Sequence, residues 1–170
     1  AKVGIRRGDW PAMTFDGELL ASYRALLQHT DLQKAYQEFV RLFRYLRVQL
    51  EKQSPGYTFQ GGIVENAMDY AYFQFTDPRL RAAGLKIVIV FVHRDFQLEV
   101  WLSGVNRKAQ CAWAEKLGAG APPFLPSQDP ARTDYILRAP VAAELSQGPA
   151  VLAALLDQLQ QLRASLKAYL

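Results

Sequence analysis

Cysteine and histidine are nearly absent from this chain, and each shortage closes a class of function. One cysteine, Cys111, in 170 residues rules out an internal disulfide framework and fits a reducing compartment. With only His29 and His93 beside it, a zinc site of the histidine/cysteine kind has too few ligands, since such sites need three or four at short spacing. The thiol itself lies among Ala109, Ala112 and Trp113, the setting of an inert, partly buried group. Long apolar runs are missing too. The longest, Ile87 to Val92, is strand-sized and far short of the ~20 residues a membrane helix needs. No glycine-rich phosphate loop is present, because Gly61-Gly62 is followed by neither Lys-Ser/Thr nor a helix start. The first dozen residues lack the apolar centre and small-residue cleavage site of a signal peptide. These absences predict a cytoplasmic protein, bacterial in its economy, with no membrane partner. Met13-Thr14-Phe15-Asp16 reads as a natural start, so residues 1–12 are expected to be a non-native extension and 13–170 a single domain.

Half of the residues are hydrophobic and 21% are charged, the balance of a folded chain rather than a disordered one. A chain of this length buries roughly two-thirds of its unfolded surface. The net charge of +4 is modest, and Lys2, Arg6 and Arg7 against Asp9 supply half of it. Dedicated nucleic-acid binders cluster many Lys and Arg on one face, so nucleic acid is an unlikely partner here. Arg41, Arg44 and Arg47 recur at three-residue spacing and read as the solvated back of an amphipathic helix.

The hydrophobic period changes along the chain. Asp16 is a candidate N-cap for a helix to about Gln28, and Thr30-Asp31 for a second helix. In the second, Leu32, Tyr36, Phe39, Phe43, Leu46 and Leu50 fall on one stripe until Ser54-Pro55-Gly56 stops it. From Tyr57 the period is two. Tyr57 to Ile63 predicts a strand bent at Gly61-Gly62, and Met68 to Thr76 a second strand. Asp77-Pro78 and a short helical turn, Arg79 to Ala83, follow. Leu85 to Val92 is apolar on both faces, as in a central strand covered on both sides. Phe96 to Leu102 alternates, with Phe96, Leu98, Val100 and Leu102 inward and Gln97, Glu99 and Trp101 outward, and the corner His93 to Asp95 predicts a hairpin. A helix over Val105 to Leu117, a Gly/Ala/Pro-rich loop to Arg132, and a short strand within Thr133 to Arg138 come next. The last helix starts near Pro149 with the stripe Leu152, Leu155, Leu156, Leu159, Leu162 and Leu166. The order predicts an α+β domain: a four-strand antiparallel meander packed against N-terminal and C-terminal helices. Phe39, Phe43, Leu46, Ile89, Phe91, Leu98, Val100 and Leu159 form the expected core.

The run FQLEVWLSGVNR, Phe96 to Arg107, resembles the signature of an uncharacterised bacterial family of small α+β domains, a domain of unknown function. That family pairs an F-x-x-E-x-W-L-x-G-x-N segment with an apolar strand ending V-F-x-H, here Val90-Phe91-Val92-His93. The resemblance extends from about Asp16 to Leu170, though its sharp part is Val90 to Arg107. It implies interest in Glu99, Trp101 and Asn106, and no activity.

Two functional readings follow from the residues. In the first, Tyr70, Tyr72 and Gln74 share the outward sheet face with Gln97, Glu99 and Trp101, combining aromatic area with directional polar groups. Tyr70, Tyr72, His93, Glu99, Trp101, Asn106 and Arg107 are then the candidate ligand-binding residues for a small molecule or a protein partner, with no cofactor and no metal. A carboxylate among aromatic rings has its charged form disfavoured, the direction that suits a general acid or base. The opposite reading has helices covering this face, Trp101 in the core, Asn106 as a helix cap and Glu99 paired with Arg107 or Lys86. The alternative function is a divalent-metal-dependent, nuclease-like hydrolase with magnesium held by Asp69, Glu99 and Glu65. It departs from endonuclease patterns in having Trp101 where Glu99-Val100-x calls for lysine. Neither composition nor spacing decides whether the protein is an enzyme or a homo-oligomer.

Overall fold

A computed structural model describes residues 12–120 and 122–170. The expected extension over 1–12 lies outside the described residues except for Ala12. Helix α1 spans Gly17–His29, and the Asp16 carboxylate accepts from the Leu19 N–H at 3.0 Å, the N-cap bond its sequence position calls for. Thr30 Oγ1 accepts from the Leu32 N–H at 3.2 Å where α2, Leu32–Gln53, begins. The chain forms two compact units, one ending at Phe43 and one running from Arg44 to Leu170. In the first unit α1 buries none of its side chains, and Leu19, Leu20, Tyr23 and Leu26 are exposed. Phe39 stacks on Phe43 with centroids 5.5 Å apart; Phe43 is buried and Phe39 only half-buried, short of the full burial its stripe position predicts.

The second unit is built on an antiparallel sheet of six strands, two more than the meander read from the sequence. Strands β1 (Thr58–Asn66), β2 (Tyr70–Thr76), β3 (Leu85–Val92) and β4 (Gln97–Gly104) lie side by side in chain order, and β6 (Leu137–Pro140) then β5 (Leu125–Pro126) extend the sheet beyond β4. Strand β5 comes from the Pro-rich stretch, where a two-residue segment carries too little alternation to register, while β6 overlaps the short strand expected within Thr133 to Arg138 and joins the sheet by pairing with β4. Helix α3 (Pro78–Ala82), capped by Asp77, packs on β3; α4 (Arg107–Leu117) and α5 (Gly148–Leu166) pack on β4.

The register separates two faces. Ala71, Phe73 and Phe75 stand opposite Phe91, Ile89 and Ile87, which stand opposite Leu98, Val100 and Leu102. All nine are buried and form the main core of this unit with Leu46 and Leu50 of α2 and Leu155, Leu159 and Leu162 of α5. A fully buried side chain of this size contributes about 1.5–3 kcal/mol. Tyr45 fixes the approach of α5, because a Cβ on Gly148 would come within 2.8 Å of its ring. The expected bend at Gly61-Gly62 is present: pairing of β1 with β2 slips between Gln60 and Val64, and Gly61 has φ +66°. Arg47 lies over the Phe59 ring, bonds Glu51, and donates to the Gly61 carbonyl, so it is engaged rather than solvated.

Two strand boundaries differ from the periodic reading. Met68 was expected to begin a strand, but Ala67 and Met68 both have positive φ and form a tight turn closed by Asp69 N–H to Asn66 C=O at 2.9 Å. Phe96 was placed inward, yet it has φ +47°, is 71% exposed, and closes the β3–β4 turn by donating its N–H to His93 C=O at 3.1 Å. Turn closure overrides the apolar alternation in both places. No helix among the described residues is long and apolar enough to cross a membrane.

Candidate functional site

The second face of the sheet carries the residues that the alternation of β4 selects. Gln97, Glu99 and Trp101 stand opposite Val92, Val90 and Val88, and the last two rows continue to Tyr72 and Gln74 on β2. The three valines and Trp101 form a buried cluster edged by Tyr72 and Tyr135. Trp101 meets Tyr70 edge-on at 5.7 Å between centroids and Tyr135 at 5.1 Å. The sequence expectation of a solvent-side face is therefore corrected: small valines in β3 let the flanking aromatic side chains close over the sheet themselves. Tyr70 remains 37% exposed at its margin.

Glu99 is the chemical anomaly of this face, a carboxylate only 1% exposed. Its burial is tolerated because its acceptors are met. Oε1 accepts from Trp101 Nε1 and Oε2 from Gln97 Nε2, both at 3.0 Å. Arg138 Nε lies 3.8 Å from Oε1, and its guanidinium sits 5.4 Å from the centre of the Tyr135 ring. The cation expected from sequence, Arg107 or Lys86, is not the partner. Strand β6 supplies it, because Arg138 is the register partner of Trp101 in the β4–β6 pairing.

The other selected residues go elsewhere. Tyr70, Tyr72, Glu99 and Trp101 share this face, whereas His93 does not. Its ring packs edge-on against Phe91 of the opposite face, with Nε2 3.9 Å from Glu65 Oε2. Asn106 caps α4, its Oδ1 accepting from the Ala109 N–H at 2.8 Å, and Arg107 pairs with Asp134 at 2.7 Å. Both follow the end of β4 at Gly104, five residues and about 17 Å of strand beyond Glu99. Asp69 lies in the β1–β2 turn, its carbonyl accepting from the His93 N–H at 3.1 Å. Among the described residues no group of three or more His, Cys, Asp and Glu side chains is placed to hold a metal ion.

A second constellation has no counterpart in the sequence reading. Asp77 is 5% exposed; its Oδ1 caps α3 by accepting from the Leu80 N–H at 2.8 Å, and its Oδ2 accepts from Arg163 Nη1 at 2.6 Å. The same Nη1 donates to the Tyr57 hydroxyl at 2.8 Å, and the guanidinium lies over the Tyr57 ring at 5.2 Å. Burial raises the Tyr57 phenol above its ordinary 10.0, while the bond from Arg163 pulls it back. The trio borders a cleft of ≈ 580 Å³. Its members are 20 and 86 residues apart, and each has an ordinary local role, so no local signal announces it.

The fold and the buried Glu99–Trp101 pair define a small α+β domain with a self-covered aromatic sheet face. The chain belongs to the family described as a domain of unknown function (DUF7000), whose family model matches residues 17–170. No curated protein and no solved structure matches it.

Proposed function

We propose that this is a small-molecule-binding domain, with residues 13–170 as its single functional extent, acting in the reducing cytoplasm that its lone cysteine suits. The binding surface is the margin of the aromatic sheet face, where Tyr70, Tyr72 and Tyr135 surround the Glu99–Trp101 pair. The single observation that carries this reading is the buried carboxylate of Glu99, which fixes the Trp101 indole and draws Arg138 to the same spot. Satisfied polar networks of this kind rigidify their surroundings. A ligand meeting Tyr70 and Arg138 would therefore find rings and a cation already in position, which lowers the ordering cost of binding. A planar heterocycle bearing an acceptor or carboxylate at one edge fits that combination, stacking on the tyrosines with its polar edge on Arg138.

The test is a ¹⁵N NMR screen of planar heterocyclic carboxylates, following the Trp101 indole N–H. A binder should shift that signal, and Tyr70→Ala and Arg138→Ala should each weaken it about tenfold or more. The reading fails if no compound moves the Trp101 signal, or if hits bind both variants as they bind the parent.

A further inference from the structure

The cleft beside Tyr57 has the composition of an anion site, and it lies apart from the aromatic sheet face. Three segments build it: the end of α2 and the residue after it (Gln53, Ser54), the start of α3 (Pro78, Arg79) and α5 (Leu159, Arg163). A second cavity of ≈ 270 Å³ shares Arg79 and Arg163 with the first and adds Lys167. Three cationic side chains thus line the two adjoining spaces. The one carboxylate side chain among the lining residues, Asp77, is buried and spent on Arg163 and the Leu80 N–H. Arg79 and Lys167 are exposed.

Arg163 is the organising group. A guanidinium has five N–H donors in a rigid fork. Nη1 alone reaches both Asp77 and Tyr57, and 49% of the side chain stays accessible. Asp77 and Tyr57 therefore hold the fork in one orientation without covering it. Pro78, Leu156, Leu159 and the Tyr57 ring add apolar surface to the first cavity. Its volume falls within the few hundred to ~1,000 Å³ of small-molecule sites, room for an organic body as well as its anionic group.

We propose that this cleft binds an organic phosphomonoester of about nucleotide size, with the phosphate between Arg79, Arg163 and Lys167 and the organic part against Leu156, Leu159 and Tyr57. A dianionic group with three equivalent oxygens matches two planar forks and one ammonium better than a single carboxylate does. A phosphate is also favoured over a neutral ligand by the unspent cations of the lining, Arg79 and Lys167.

The experiment uses the full chain, with adenosine 5′-monophosphate, ribose 5-phosphate, adenosine and inorganic phosphate as probes in calorimetry and amide NMR. Adenosine 5′-monophosphate should bind, shift the Tyr57 and Leu80 amides, and exceed both adenosine and inorganic phosphate by at least tenfold. Arg79→Ala and Lys167→Ala, both at exposed positions, should each weaken it about tenfold, and Tyr70→Ala should leave it unchanged. Arg163→Lys, which keeps a cation for Asp77, should weaken it while the chain stays folded. The proposal is overturned if neither phosphomonoester binds. It is overturned equally if adenosine or inorganic phosphate matches adenosine 5′-monophosphate, or if Arg79→Ala and Lys167→Ala both bind like the parent. Loss of binding in Tyr70→Ala would move the site to the sheet face and overturn it as well.

Discussion

Trp101 donates its indole N–H to Glu99 Oε1 at 3.0 Å, two residues along the same face of β4. The bond joins the most buried acid among the described residues to the largest ring on that face. Truncating Glu99 leaves the buried Trp101 N–H and the half-buried Gln97 amide without their acceptor, and an orphaned buried donor costs roughly 1–3 kcal/mol. Glu99→Ala should therefore lower stability in urea by about 2–4 kcal/mol, and Glu99→Gln by less. A loss below about 1 kcal/mol for Glu99→Ala would show that the carboxylate does not hold this face together.

Asn106 lies far along the strand from that pair and caps α4. Asn106→Ala should cost about 1 kcal/mol, the usual worth of an N-cap, while Asn106→Asp should stay close to the parent. Neither substitution should alter ligand affinity at the sheet face. A change in affinity without a change in stability would restore Asn106 as a binding residue.

Gly104 ends β4 directly against the first turn of α4. An added Cβ there would lie 2.5 Å from the Gln110 backbone nitrogen and 2.7 Å from its Cα, so backbone must move to admit it. Gln110 also accepts from the Gly104 N–H and donates to the carbonyls of Pro130 and Thr133, tying the long loop to the strand end. Gly104→Ala should destabilise by roughly 1–3 kcal/mol. Unchanged thermal unfolding would mean that α4 does not seat on the strand end this closely.

Alkaline unfolding reports on Tyr57. Burial holds its phenol proton more tightly in the folded chain than in the unfolded one, against the opposing pull of Arg163. The sign follows: the contribution is complete below about pH 10, the unfolded value, and is lost as pH rises through the higher folded value. Tyr57→Phe should flatten the decline in stability above pH 10, read from urea unfolding at a series of pH values. Identical slopes in the parent and Tyr57→Phe would exclude a raised phenol.

What was legible in the sequence was whatever repeats with a fixed period. The buried C-terminal half of the α2 stripe (Phe43, Leu46, Leu50), most of the α5 stripe, the two-sided burial of β3 and the inward set Leu98, Val100 and Leu102 follow from periods of 3.6 and 2, which depend only on local spacing. The caps at Asp16, Asp77 and Asn106 are equally local, each a side chain accepting from the N–H three residues on. Phe96 and Met68 were misplaced because their apolar side chains continue a pattern that left-handed backbone geometry interrupts. Of the candidate site, Tyr70, Tyr72, Glu99 and Trp101 were placed on one face by counting. Arg138 was not, since its contact with Glu99 depends on a four-residue strand added from 39 positions downstream. The Tyr57–Asp77–Arg163 trio is a product of tertiary packing alone.

The slipped pairing in β1 has a consequence for how copies of the chain meet. A sheet grows by addition of a further strand only where its outermost strand offers an even row of unused amides and carbonyls. At one border the row is kinked at Gly61 and its carbonyl is already taken by Arg47. At the other border β5 is two residues long and ends in Pro126, which has no amide to give. Both borders of the sheet are thereby blunted, and concentrated protein is protected against stacking into continuous intermolecular ribbons.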